Sequence, residues 1–282
     1  SISIEREEKL MKSNKWKFLL TGAATLTLLT ACTQASSQSA TKSNTAQTTA
    51  TSTSKNKTNN SNYFTDKDKD SSYDESKAST VKLSGSSASV SGDGVAVSGS
   101  TVTISKAGTY VISGESDGVQ IKVEAGDSDD VHIVLKGVTM TNTNAPISAT
   151  KAGHVYLTLA DGTTNTLSDS SSNNDEDADA VIFSKGDLTI NGSGTLNIDA
   201  KKNNGIKAND TLHITGGTYK ITAVGDAFNV NDELNITGTT MTIDADEDAV
   251  KVDNDEDTSV GTMYLSDNKM TITAGDDGIH AS

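Results

Sequence analysis

An acidic or amide side chain opens a short apolar motif again and again in this sequence. The triplets are Asp93-Gly94-Val95, Asp117-Gly118-Val119, Ala145-Pro146-Ile147, Asp179-Ala180-Val181, Asn204-Gly205-Ile206, Asp226-Ala227-Phe228, Asp248-Ala249-Val250 and Asp277-Gly278-Ile279. If successive members stack at a strand spacing of about 4.8 Å, two carboxylates repel by about 3.5 kcal/mol at an effective dielectric of 20. Ca2+, with oxygen ligands at about 2.3 to 2.6 Å, spans that gap and cancels the repulsion. The densest set is Asp226, Asp246, Glu247 and Asp248, continued by Asp276 and Asp277. Asp253, Asp255 and Asp257 alternate as the first ligands of an EF-hand do, but no acid completes the loop seven positions on. Calcium is expected at both sets; the competing reading is a solvated acidic face whose Asp side chains hold turns.

One residue after each inward apolar position stand Lys207, Asn229, Lys251 and His280. They are expected to form an outward polar stripe that meets sugar carboxylates and hydroxyls, with calcium bridging anion to anion. The plainer role for Lys207 and Lys251 is to offset local negative charge. Lys251 beside a calcium cluster is also a legal base for β-elimination next to a uronate carboxylate, which keeps a lyase reading open although no enzyme is expected. Paired carboxylates for hydrolysis arise by chance among so many acids. His132, His154, His213 and His280 show no zinc or triad spacing, and no phosphate-binding glycine motif supports a nucleotide.

Positioning these groups falls to a repeat. Thr211-Leu212-His213-Ile214-Thr215-Gly216 aligns with Glu233-Leu234-Asn235-Ile236-Thr237-Gly238 at an offset of 22. Each unit holds two alternating runs around a Gly turn and then a third run after the Asp or Asn, with β-branched inward positions such as Ile198, Ile221, Ile243 and Ile272. Three period-two runs per unit and no helical period specify an all-β fold, a right-handed parallel β-helix of about eight coils; a sandwich of hairpins is the alternative.

The amino terminus reads differently. Lys12, Lys15 and Lys17 precede an apolar run from Phe18 to Ala31, and Leu29-Thr30-Ala31-Cys32 follows the pattern of a bacterial lipoprotein export signal. Met11 is the expected start, so 1–10 is upstream sequence, 11–31 a signal peptide, and Cys32 the lipidated first residue. From Thr33 to Asn62, 23 of 30 residues are Ser, Thr, Asn or Gln, a composition that cannot bury a core. The span 32–80 is therefore expected to be a disordered linker and 81–282 the β-helix, which stops within a coil at Ser282 and is expected to continue beyond it.

Charge narrows the partners. The chain has 23 basic and 38 acidic residues, and 81–282 alone carries 12 Lys, no Arg and 30 acids. Nucleic acid and anionic membrane surfaces are repelled, leaving the lipid on Cys32 as the membrane contact. The motifs Leu188-Thr189-Ile190-Asn191-Gly192, Leu234-Asn235-Ile236-Thr237-Gly238 and Gly275-Asp276-Asp277-Gly278-Ile279-His280-Ala281 resemble a bacterial family of carbohydrate-binding domain proteins. That resemblance implies a pectate-lyase-like fold, bound calcium and an acidic polysaccharide partner. The expected function is thus a lipid-anchored protein on the outer face of the cell membrane that binds acidic, polygalacturonate-like polysaccharide with calcium. The alternatives are a calcium-stiffened adhesin or spacer, and a calcium-dependent lyase.

Overall fold

Alternation of Val, Ile, Leu and Thr with small polar residues makes strands of nearly every run after Ala78, because one face of each run can be buried and the other hydrated. The computed structural model describes residues 48–51, 62–257 and 259–282. Among them one four-residue helix, Asp66–Lys69, stands beside strands alone. Leu188–Gly192, Thr195–Ala200 and Asn204–Ala208 form one turn of the stack, and Thr211–Thr215, Thr218–Ala223 and Phe228–Val230 the next. Glu233–Thr237, Thr240–Ala245 and Val250–Val252 follow.

Corresponding strands pair in parallel. On the first face Leu188 lies opposite Leu212, which lies opposite Leu234. On the second, Ile198, Ile221, Ile243 and Ile272 form one row, as expected. On the third, Ile206, Phe228 and Val250 do the same. The first two faces belong to a 15-stranded sheet joined through the long strand Asp130–Thr141; the third is a nine-stranded sheet. Their inward rows merge into one core of Ile, Val and Leu with Tyr110, Tyr219 and Phe228 fully buried. This is the architecture of a β-solenoid, in which each turn contacts mainly its neighbours.

Three expectations need correction. Val95 begins a strand, Val95–Ser98, that runs antiparallel to Thr101–Ile104, so the Asp93 triplet opens a hairpin rather than a stacked turn. Ile121 and Ile182, not Val119 and Val181, share the row with Ile147 and Ile206. Ala180–Ser184 is buried on both sides, its outward Phe183 against Ala145 and Ala178, so no alternation marks which apolar residue faces in. Finally, the expected linker is structured in part. Thr48–Thr51 pairs antiparallel with Lys269–Ala274, and residues 62–78 lie as a strap across the outward side of the first face. The expected signal segment and Cys32 lie outside the described residues.

Candidate functional site

Lys207, Asn229, Lys251 and His280 do fall in one row on the outward side of the third sheet, following Phe183. Their partners differ. The Lys207 ammonium donates to Asp179 Oδ1 at 2.6 Å in a half-buried pair, and Asn229 Nδ2 donates to Asp226 Oδ2 at 2.7 Å. His280 Nδ1 lies 3.3 Å from Asp277 Oδ2. Lys251 stands between Asn229 and His280, a cation at mid-row. Beside Lys207, the insertion that precedes Ala180 shapes an open cleft of about 500 Å³ lined by Asn173, Asp175, Glu176, Asp179, Lys202 and Asn203.

The stacked Asp and Asn side chains have a job that the sequence reading counted only as its plain alternative. Asn204 Oδ1 accepts the backbone N–H of Asp226 at 3.1 Å, Asp226 Oδ1 that of Asp248 at 3.0 Å, and Asp248 Oδ1 that of Asp277 at 2.8 Å. Each side chain thus satisfies a turn donor of the next coil, a need that any buried N–H creates. Burial pushes the Asp248 carboxyl up, and the neighbouring Asp226 and Asp276 charges add to it, while the N–H of Asp277 and the His280 imidazole act the other way. Asp253 accepts from Ser282, and Asp257 accepts from Ser259.

That geometry bears on calcium. Both oxygens of Asp226 are engaged, and no three carboxylate, imidazole or thiol groups converge to hold an ion among the described residues. A closed cage of protein carboxylates at Asp226 and Asp248 therefore does not fit. Asp246, Glu247, Asp255, Asp276 and Asp277 are exposed. They suit an ion whose shell is completed by another molecule.

The first face carries a second constellation. Its outward row runs Thr109, His132, Tyr156, Thr189, His213, Asn235 and Tyr264, one residue per strand. The strap covers most of it. Thr65 and Asp68 form a capping box, Thr65 Oγ1 accepting the Asp68 N–H at 3.1 Å and Asp68 Oδ2 accepting the Thr65 N–H at 2.7 Å, which starts the helix at that point. Thr189 Oγ1 donates to Asp68 Oδ1 at 2.6 Å, and His213 Nδ1 lies 3.1 Å from Asp68 Oδ2. Asn191 Nδ2 donates to the Asp68 and Asp70 carbonyls, Thr215 Oγ1 to the Asp68 carbonyl, and Asn235 Nδ2 to the Tyr63 carbonyl. The Tyr63 ring stacks on Tyr264 with centroids 3.6 Å apart, and Lys67 Nζ sits 4.6 Å from the centre of the Tyr156 ring.

Asp68 is 1% exposed. Burial alone would raise its carboxyl, but hydrogen bonds from His213, Thr189 and Thr65 outweigh it and hold the group far below the usual carboxylate range. Burial likewise pulls His213 down, yet its bonds to Asp68 and Glu233 leave it above the ordinary value of 6.5. His132 and His154 lack such partners, and burial lowers both.

Sequence reasoning missed this face. Its signals were the capping box Thr65-Asp66-Lys67-Asp68 inside a polar stretch, and the polar residue framed by Leu and Ile in Leu212-His213-Ile214 and Leu234-Asn235-Ile236.

Comparison with known proteins places the chain in a family. A carbohydrate-binding domain-containing protein of Acetivibrio thermocellus is 38% identical over 126 residues, 43% of this chain and 44% of that protein. The chain therefore matches less than half the length of that relative. A solved structure described as the polysaccharide lyase-like protein from C. thermocellum, gadolinium derivative, superimposes with a TM-score of 0.68 at 29% identity, covering 72% of this chain and 94% of that one. Residues 98–282, more than half of the chain, match a family described by the same words as the relative, and the chain belongs to the carbohydrate-binding domain-containing protein family.

Proposed function

We propose that the protein is a lipid-anchored surface lipoprotein that binds a carboxylated polysaccharide of the polygalacturonate type, with calcium between sugar and protein. The observation that carries this reading is the row Lys207, Asn229, Lys251 and His280. It offers one polar or cationic group per coil, at about 4.8 Å intervals, to a polymer laid along the solenoid. A polyanion approaching so acidic a surface is repelled unless cations intervene. The exposed Asp246, Glu247, Asp276 and Asp277 beside the row would supply part of an ion's shell, and a uronate carboxylate the rest. The anchor rests on the export signal ending at Cys32.

Affinity electrophoresis through polygalacturonate, with and without EDTA, tests the reading. Calcium-dependent retardation, weakened by Lys207→Ala with Lys251→Ala, is the expected result; equal mobility in both gels removes it. The lyase-like description of the solved neighbour keeps β-elimination through Lys251 as a second reading. Its readout is ultraviolet absorbance of unsaturated uronate, abolished by Lys251→Ala.

A further inference from the structure

The strap is anchored in an unusual way for a covering segment. Apart from Phe64, which lies edge-on to His213 and Tyr264, the half from Tyr63 to Asp70 is held by polar groups of the face. Those groups grip a carboxylate, several carbonyl oxygens and one flat ring. A uronate residue presents the same set: a carboxylate, acceptor oxygens and a ring face that stacks on Tyr. Leu188, Ile190, Leu212 and Ile214 on the same strands fill the core, while the gripping side chains bond outward to the strap and from coil to coil, as Thr158 to Asn191 and His213 to Glu233. Without the strap they would face water. The strap also crosses strand after strand along the stacking axis, from Tyr264 back toward His132, which is the path of a linear polymer along successive coils. At its far end the row is not closed: a cavity of about 240 Å³ stays open between Lys67, Asp70, Thr109, Asp130, His132 and Tyr156.

We propose that the outward row of the first face is a second glycan track, built for a carboxylated sugar chain, and that Tyr63 to Asp70 occupies it as an intramolecular stand-in which the polymer displaces. The Asp68 carboxylate holds the place of a sugar carboxylate between Thr189 and His213. The Tyr63 ring holds the place of a pyranose on Tyr264. The open cavity at His132 and Tyr156, where the Lys67 ammonium stands against the Asp70 and Asp130 charges, is where a polymer first gains a foothold. The inference rests on the proposed function in one respect, that the ligand is a carboxylated glycan. When a competent state is populated only in part, apparent affinity falls by that fraction, so the strap sets the affinity of this track.

The test uses the full chain and oligogalacturonate as probe. Lys67 and Lys69 make the strap a trypsin substrate when it lifts. Asp68→Ala is expected to speed cleavage there and to raise oligogalacturonate affinity about tenfold, the effect of freeing a track open about one tenth of the time. In the wild type, added oligogalacturonate is expected to speed the same cleavage, and His213→Ala or Thr189→Ala in the Asp68→Ala background to remove the gain. If Asp68→Ala leaves the strap protected, the double variant with Tyr63→Ala replaces it. A strap that lifts with no change in affinity, or a bound glycan that leaves cleavage unchanged, overturns the track while the function through Lys207 and Lys251 stands. No binding by the wild type or any strap variant overturns the polysaccharide reading as well.

Discussion

Asp248 is 7% exposed and lies between two other acidic residues of its ladder, yet its Oδ1 is the acceptor for the Asp277 N–H. The two roles separate by substitution. Asp248→Asn keeps an acceptor oxygen and removes the charge; Asp248→Ala removes both and leaves a backbone donor without its partner, at a cost of about 1 to 3 kcal/mol. Because the Asp248 carboxyl is raised on folding, its favourable contribution is complete below the ordinary value of 3.8 and is lost as pH rises through the raised one. In EDTA at pH 7, Asp248→Asn is therefore expected to melt at or above the wild type, with the gain vanishing near pH 3.5. A melt in which Asn and Ala are equally harmful would show that the charge itself holds the turn. The sequence could display the ladder of acids but not this use of it, because an ion ligand and a turn acceptor call for the same residue at the same spacing.

The strap and the Gly turns show how differently two kinds of element announce themselves. Gly192 has φ +91°, and a Cβ there would meet the Leu159 carbonyl oxygen at 2.3 Å, whereas Gly238, at φ +68°, has nothing nearer than 3.9 Å. Gly192→Ala is expected to destabilise by more than about 3 kcal/mol, since it adds a backbone clash to the left-handed strain, and Gly238→Ala by only about 1 to 2. Denaturant midpoints of the two variants measure the gap. Such turns are readable because each repeat states them again. The strap is stated once, in a polar stretch like any linker, and its bonds to Thr189 and His213 span 121 and 145 residues. Its docking carries a pH signature. The lowered Asp68 carboxyl contributes fully above 3.8 and is lost as pH falls through its folded value; the raised His213 contributes fully below 6.5 and is lost as pH rises through its own. Glu233, bonded to His213, and His154, two strands away and bonded to Thr189, share that field. Tryptic cleavage at Lys67, corrected for the enzyme's own pH profile, is expected to be slowest between those limits and to lose its alkaline limb in His213→Ala. A flat profile in the wild type would deny the pair its role.

Over the molecule as a whole, the balance of acids over bases works against compactness. Screening should relieve it. In EDTA, raising NaCl from about 0.02 to 0.5 M is expected to lift the thermal midpoint by a few degrees, since the Debye length shrinks from roughly 20 Å to under 5 Å. A midpoint that falls instead would mean that the ion pairs, such as Lys207 with Asp179, outweigh the general repulsion. The solenoid was legible because Ile198, Ile221, Ile243 and Ile272 repeat one environment and so reinforce one another in the sequence. The third-sheet row followed from the same period. Where an insertion covers both sides of a strand, as at Ala180–Ser184, the alternation disappears and the register slips by one residue.

The strap's direction has a mechanical consequence. It enters at Tyr63, against the strand that carries Tyr264, and ends at Ala78, where Ser79–Gly85 joins the opposite end of the same sheet. Tension arriving through the chain ahead of Asn62 bears first on Thr48–Thr51, paired with Lys269–Ala274, and once that strand is released it reaches the Tyr63 stack, then Asn235, then the Asp68 cradle, one after another. That is peeling rather than shearing, and it needs only the force that breaks one contact at a time. Residues 62–78 would then pay out about 55 Å of extended chain before Ser79–Gly85 felt the load. A pull from that side would lift the cover from the first face before it strained the end of the sheet that Ser79–Gly85 joins.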